Sequence, residues 1–435
     1  MSDHNWLHWF RHSSPYINAH RDRVVVITLS GDALAHSNLT PIIHDIALLA
    51  SLGVRLVIAF GARPQIRERI EREGLDSGYQ TGLRITSEAQ LPLVLEAVGR
   101  LRAMLESRLS MGLINSPMHG AQIRVASGNW VTARPIGVIG GVDLEYTGRV
   151  RRVDGASIQQ QLELGQVVLL PPVGYSATGD AFNLSHEDVA GEAASALDAD
   201  KLILFTEHNG VPDGSGQLVR ELSVNEARDL LASKVPEGDD ASALRAAVTA
   251  CDRGVRRSHI IGYTTDGALL EELFTRDGLG TLVTDENYEH IRTATAEDIS
   301  GIQELIQPLE ERGILVSRPR ELIETEIDRF LVDERDGGIV GCAALYPYPS
   351  TGMMELACFA VSDHYRGSGR GDKLLAMAER HALAEGLGEL FVLTTQTAHW
   401  FIERGFEAAE LDRLPPEKDQ ETPRSRNSRI FVKRL

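Results

Sequence analysis

The sequence predicts an α/β protein in two parts: an open, mostly parallel sheet sandwiched by helices, then an α+β domain with a mixed sheet. Three observations carry this. Short apolar runs alternate with helix-length amphipathic segments up to about residue 285. Beyond 285–292 the order changes to consecutive strands joined by a tight turn. Near the end, an apolar strand at 353–361 enters a glycine-rich turn, Arg366-Gly-Ser-Gly-Arg-Gly371, which opens a helical pattern from Asp372 to Glu385.

Taken in order, residues 1–20 read as an amphipathic lead-in helix with Trp6, Leu7, Trp9 and Phe10 close together. Such aromatics either pack on the chain's own body or form a subunit contact. Residues 24–29 are an apolar run ending at Ser30-Gly31. A helix over 40–52 is closed by Gly53, a run at 54–60 ends at Gly61, and a helix over 64–73 is stopped by Gly74. Runs without polar alternation fit strands of a parallel sheet covered on both faces. The pattern continues with helix 88–111, strands 122–126 and 167–171, helix 187–197, strand 201–205, helices 223–233 and 240–252, and strand 257–262. Ligands bind such sheets at the carboxyl ends of the strands. Those ends read Ser30-Gly31, Gly61-Ala-Arg-Pro64 and Pro171-Pro-Val-Gly174. The second domain offers helices 295–312 and 319–326, strand 328–334, a turn at Asp336-Gly-Gly338, and strands 339–346 and 353–361. Strands joined by a tight turn pair antiparallel. The predicted division is a lead-in at 1–20, a first domain at 21–286 and a second at 290–435.

The net charge is −18. A polyanion such as nucleic acid is repelled on average, and a small anionic substrate needs a local basic pocket. Cys251, Cys342 and Cys358 form no C-x-x-C, which excludes a cysteine-rich zinc site and argues against a disulfide framework. That usage fits a reducing compartment. The N-terminus lacks the basic start and apolar core of a signal peptide. No apolar run approaches the roughly eighteen residues of a membrane span. A cytoplasmic protein without membrane contact is expected.

The glycine turn is not G-x-G-x-x-G, and no G-x-x-x-x-G-K-[ST] occurs. A turn of bare N–H groups at a helix N-terminus still binds phosphate oxygens. The spacing Arg366-x-x-Gly369-x-Gly371 resembles the pyrophosphate loop of the GCN5-related N-acetyltransferases, and the first half resembles the amino-acid kinase fold. Specific stretches are Ser13-Ser-Pro-Tyr-Ile-Asn-Ala-His20, Gly61-Ala-Arg-Pro-Gln-Ile66, Gly82-Leu-Arg-Ile-Thr86, Glu355 through Gly371, and His399-Trp-Phe-x-x-Arg-Gly-Phe406. Their order resembles the bacterial N-acetylglutamate synthase family over nearly the whole chain.

That resemblance implies acetyl transfer from acetyl-CoA, a co-substrate, to the α-amine of L-glutamate, with no permanently bound cofactor and no metal. It implies L-arginine as a feedback inhibitor acting through the kinase-like half, and a homo-oligomer, a hexamer. A kinase with an appended transferase and a non-catalytic arginine and coenzyme sensor are the rival readings. The kinase lysine of the first strand–loop is matched by Thr28, and the kinase's glycine loop by Phe60-Gly-Ala-Arg63, whose arginine adds bulk where backbone must approach phosphate. Lys201 matches a kinase lysine by position; on its own it reads as a solvated residue at a strand start.

Implied roles follow residue by residue. Glu355 is the candidate base for the α-ammonium, and Thr394 the candidate donor to the leaving sulfur. Cys358, Phe359, Ala360 and Val361 supply main chain to the pantetheine arm. Arg366, Gly367, Ser368, Gly369, Arg370 and Gly371 cradle the pyrophosphate, the two arginines adding positive charge. Arg318 and Arg426 answer the two glutamate carboxylates, with Ser428 adding a hydroxyl. Tyr16, Glu272 and Gly278 are the candidate arginine-binding residues, Glu272 as a bidentate partner of the guanidinium. Cys358 lies mid-strand among apolar neighbours, which argues against a nucleophilic thiol.

Overall fold

Eight strands build the central sheet of the first unit, in the order Glu221–Ser223, Thr281–Thr284, Arg257–Gly262, Lys201–Thr206, Val24–Leu29, Arg55–Phe60, Gln166–Leu170, Arg124–Ala126. The computed structural model describes residues 3–111, 119–213, 216–233, 238–275, 278–284, 290–335, 338–363, 369–418 and 428–435, without the side chains of 3–10, 12, 233 and 290. Two units are formed, Met1–Glu286 and Asn287–Leu435.

Neighbouring strands of the first sheet run parallel, except that Arg257–Gly262 pairs antiparallel with Thr281–Thr284. The apolar runs explain why both faces are covered. Val25, Ile27 and Leu29 enter one core, while Val26 enters the other. Ile203 and Phe205 divide from Leu202 and Leu204 in the same way, as the period of two requires. The predicted helices appear within a few residues of their expected ends, as Leu39–Ser51, Arg63–Arg72, Leu91–Leu109, His186–Ala196, Val224–Ser233 and Asp239–Asp252. A second, four-stranded sheet was not predicted: Ala181–Asn183, Val173–Tyr175, Val131–Pro135 and Gly148–Val153. The lead-in forms a helix, Asp3–His20. Its Ser13 Oγ donates to the Phe274 carbonyl at 3.2 Å, and its His20 Nε2 lies 2.7 Å from the Leu273 carbonyl. The later part of this helix therefore docks on its own unit; the side chains of Trp6, Leu7, Trp9 and Phe10 lie outside the described residues.

The second unit is one seven-stranded mixed sheet: His290–Thr293, Phe330–Arg335, Gly338–Tyr348, Met353–Val361, Glu389–Thr394, Arg429–Arg434, Glu407–Ala409. All its pairs are antiparallel except Met353–Val361 with Glu389–Thr394. That parallel pairing covers only Met353↔Glu389, Met354↔Leu390 and Glu355↔Phe391. Both strands run on beyond it, so the sheet opens after Glu355. Helix Arg370–Ala384 packs on the sheet through Leu374, Leu375, Ala378 and Ala382. The turn predicted at 336–337 lies outside the described residues.

Candidate active site

The opening between Met353–Val361 and Glu389–Thr394 is bordered by Glu355 and Thr394, the two predicted catalytic residues. A β-bulge shapes its first wall. Pairing jumps from Cys342↔Ala360 to Ala344↔Ala357, so Cys358 and Phe359 together face Ala343. Cys358 takes φ +48°, unusual outside glycine. Such a bulge bends the strand and re-aims its side chains. Phe359 turns onto Trp400 and Phe401, with ring centroids 5.3 and 5.9 Å away. The Cys358 side chain is buried in the opposite core, and its carbonyl accepts the Cys342 thiol at 3.4 Å. Cys358 therefore offers the opening main chain and not sulfur.

Glu355 stands at the last paired position of this wall and is buried. Lys418 Nζ donates to both its oxygens, at 2.8 and 2.7 Å. The Tyr348 hydroxyl is 3.5 Å away; burial, then Glu355, pushes this phenol up to about 12. Tyr346 is the cross-strand partner of Glu355 and donates to Glu326 at 2.6 Å. Arg318 is half-buried and near enough to Tyr346 and Glu355 to interact with both. Burial works against its charge, but Cys358, Tyr346 and Glu355 outweigh that and raise its pKa. The structure thus gathers Glu355 and Arg318, as predicted, with Lys418, Tyr346 and Tyr348, which sequence reasoning missed.

On the second wall, Thr394 is buried at the strand end. Its Oγ accepts the Thr397 N–H at 3.1 Å and lies 2.9 Å from the Thr397 hydroxyl. This hydroxyl already anchors the turn leading into helix Ala398–Ile402. Ser428 directly precedes Arg429, which pairs with Thr394, so the chain returns Ser428 to this strand end. Arg426, Arg366, Gly367 and Ser368 lie outside the described residues.

Residues 23–262 match the amino acid kinase family, and residues 299–406 match the acetyltransferase (GNAT) family. An amino-acid acetyltransferase from Ectopseudomonas mendocina is 53% identical over 432 residues, covering 99% of this chain and 100% of the relative. One from Pseudomonas putida is 53% identical over 431 residues, covering 99% of this chain and 100% of the relative. The N-acetylglutamate synthase of Neisseria gonorrhoeae, solved with coenzyme A and L-arginine, aligns with TM-score 0.84 at 38% identity over 99% of both chains. Solved with coenzyme A and N-acetyl-glutamate, it aligns at 0.63 and 39% over 99% of both. The chain belongs to the amino-acid acetyltransferase family.

As an amino-acid acetyltransferase, the chain is an acyltransferase. Gly369 caps the helix Arg370–Ala384 with φ +78°, a left-handed conformation natural to glycine. The next residue, however, is no free cation. Both Asp333 oxygens accept from Arg370 Nη1 at 3.1 Å, and the two side chains are 5% and 2% exposed. The helix repeat places 370, 374 and 378 on one face, so Arg370 points inward with Leu374 and Ala378. Gly371 is demanded by packing as well as by an approaching phosphate. A Cβ there would meet the Trp400 ring at 2.9 Å.

In the kinase-like half, Thr28 is buried mid-sheet, its Oγ1 accepting the Phe205 N–H at 3.3 Å. Lys201 is also buried, which overturns the solvated reading; its Nζ is 3.6 Å from Asp200. Glu272 is neither solvated nor open to a second bidentate partner. One oxygen meets His259 Nδ1 at 2.6 Å, and the other accepts Leu279 and Gly280 N–H groups at 2.6 and 2.8 Å. Burial raises its pKa, but the His259 contact and the two N–H groups prevail and hold it at about 2. Gly278 wraps this carboxylate so closely that a Cβ would lie 2.6 Å from it. Two groups sequence reasoning missed border the same region. His20 Nδ1 and His259 Nε2 are buried with no protein partner, and both feel the Lys201 charge. Tyr16 packs against the adjacent core.

Proposed function

We propose that this amino-acid acetyltransferase transfers acetyl from acetyl-CoA to the α-amine of L-glutamate, giving N-acetyl-L-glutamate and CoA, as the first step of L-arginine biosynthesis. The observation that carries the mechanism is the buried carboxylate of Glu355 where the two strands separate. The thioester is already activated, so no enzyme-bound acyl intermediate is required. Glu355 takes a proton from the α-ammonium, directly or through water. The freed amine attacks the thioester carbon, a C–N bond forms, and backbone N–H groups near the Phe359 bulge stabilise the oxyanion. The C–S bond then breaks, and Thr394 positions a proton for the thiolate. Arg318, Arg426 and Ser428 hold the two glutamate carboxylates. The turn 366–371 holds the pyrophosphate through its backbone.

L-Arginine inhibits through the first unit, in the region of Tyr16, Glu272 and Gly278. The unpartnered nitrogens of His20 and His259 support this reading: each ring donates through its other nitrogen, to the Leu273 carbonyl and to Glu272, so the free one is an acceptor suited to the N–H groups of an arginine ligand. Assembly is as a homo-oligomer, a hexamer, in the cytoplasm. The test is thiol release by the purified chain. It should require glutamate and fall as arginine is added. Release independent of glutamate, or none from folded, coenzyme-bound protein, overturns the assignment.

A further inference from the structure

Arg318 is the cation that the proposed function gives to a carboxylate of the acceptor. Among the described residues it makes no ion pair. Its Nη1 donates to the Val316 carbonyl at 3.3 Å, and Glu310 accepts only its backbone N–H, at 2.8 Å. The nearby Glu355 carboxylate is taken by Lys418 on both oxygens. The Tyr346 hydroxyl stands close enough to the Arg318 guanidinium to interact with it. That hydroxyl has a single proton, which it donates to Glu326 Oε2 at 2.6 Å, the length of a charge-assisted bond to a carboxylate. Toward Arg318 the phenol oxygen is therefore an acceptor alone.

Tyr346 is the register partner of Glu355. Opposed residues of an antiparallel pair share a face, so the phenol stands beside the proposed base. Arg329 closes the far end. Its Nη1 lies 3.6 Å from Glu326, and its guanidinium carbon is 5.1 Å from the Tyr346 ring centroid. The chain Arg329–Glu326–Tyr346–Arg318 thus keeps the Glu326 charge one phenol away from the Arg318 guanidinium. A carboxylate set directly on an arginine fork neutralises it, and a substrate carboxylate must then displace it. A neutral oxygen fixes the side chain and leaves its charge for the ligand. Packing alone does not call for this hydroxyl, because phenylalanine fills nearly the same volume.

We propose that Tyr346 and Glu326 are positioning residues for Arg318, holding its guanidinium without neutralising it and so setting the preference for an acceptor amino acid with two carboxylates. This rests on the reading that Arg318 binds a glutamate carboxylate. In Tyr346→Phe, Glu326 loses its donor and competes with the substrate for Arg318. The test is steady-state kinetics of the full chain with glutamate, glutamine and glutamate α-amide as acceptors. In Tyr346→Phe the Michaelis constant for glutamate should rise about tenfold, with that for acetyl-CoA within about twofold of the parent. The preference for glutamate over the amide that lacks the carboxylate held by Arg318 should shrink by a similar factor. Adding Glu326→Gln should recover about threefold of the glutamate constant, because an amide does not neutralise a guanidinium. A hydroxyl that only stabilises the fold predicts no such rescue. If Tyr346→Phe does not fold, Glu326→Gln is read alone. Its amide donates to the phenol oxygen and turns the hydroxyl proton toward Arg318, so the glutamate constant should rise about threefold; no rise overturns the inference. Equal rises for glutamate and acetyl-CoA, an unchanged acceptor preference, or no rescue overturns the inference and leaves the acetyl-transfer reading standing. A parent chain that acetylates no glutamate overturns that reading, and the inference with it.

Discussion

The Lys418 ammonium sits astride the Glu355 carboxylate, 2.8 Å from one oxygen and 2.7 Å from the other. The loop delivering it is itself tied down: Leu414 packs with Met353 and Phe391, and Ser350 Oγ donates to Glu417 at 2.6 Å. Lys418 therefore fixes the orientation of the proposed base. Removing a general base costs about 10²–10⁴-fold in turnover, so Glu355→Gln should fall in that range with coenzyme binding retained. Lys418→Met should lower turnover at least tenfold. Because Lys418 acts through Glu355, the double variant should be no slower than Glu355→Gln alone. Steady-state kinetics of the three variants checks this; additive losses would show that Lys418 works elsewhere.

Arg370 and Asp333 make the opposite kind of prediction, one about the fold. Removing one partner of a buried ion pair leaves an uncompensated charge, costing about 3–5 kcal/mol. Arg370→Ala should therefore lower the melting temperature of the transferase unit markedly. Arg370→Ala/Asp333→Ala should recover part of the loss. Thermal unfolding in excess CoA and without it separates this from a coenzyme effect; a variant that melts normally but binds CoA weakly would restore Arg370 to the pyrophosphate.

Gly371→Ala tests the aromatic wall. The added methyl displaces Trp400, which stacks against Phe359 and lies under the Arg404 guanidinium at 3.9 Å. Overpacking of this kind costs about 1–3 kcal/mol. The Michaelis constant for acetyl-CoA should rise, with that for glutamate changing less. Equal changes in both would place the disturbance outside the coenzyme side.

How far the sequence could be read follows from the kind of signal each element carries. Six of the eight strands of the first sheet were legible, most of them as apolar runs buried on both faces, while Glu221–Ser223 and Thr281–Thr284 were not. The four-stranded sheet was not: Gly148–Val153 reads Gly-Arg-Val-Arg-Arg-Val, an alternation dominated by charge. The position of Glu355, in the strand that leads to the glycine turn, was legible. Lys418 was hidden in a proline- and charge-rich tail, 63 positions from its partner. Arg370 was misread although a signal existed, since four-residue spacing puts it on the apolar stripe of Leu374 and Ala378. Glu272 was misread because its partners, His259 and the Leu279 and Gly280 amides, come from a strand and a loop that no local pattern joins to it.

Glu272 links the regulatory proposal to pH. Its folded pKa, about 2, lies below the ordinary 4.5. Its stabilising contribution is therefore present above pH 4.5 and is lost as pH falls from there toward 2. Glu272→Gln should abolish that acid-sensitive part. Because Glu272 orients His259 and the Leu279 and Gly280 amides and does not itself grip the guanidinium, the variant should also raise the arginine concentration for half-inhibition at least tenfold, with uninhibited turnover within twofold of the parent. Unchanged arginine inhibition in a folded Glu272→Gln variant would remove this carboxylate from the regulatory site.

Asp45 titrates in the other sense. It is buried on helix Leu39–Ser51, one oxygen has no protein partner, and burial, then Asp266, pushes its pKa from 3.8 up to about 7. A raised folded value means that the fold favours the protonated form. The contribution is complete below pH 3.8 and is lost as pH rises through 7. Allowing for solvent screening, holding this carboxylate ionised costs about 2–4 kcal/mol at pH 8. Asn keeps the shape without the charge. Asp45→Asn should therefore melt several degrees higher than the parent at pH 8, and the gap should shrink as pH approaches 4. A gap that stays constant from pH 8 to 4 would mean that the gain comes from packing or hydrogen bonding and not from the carboxylate's charge.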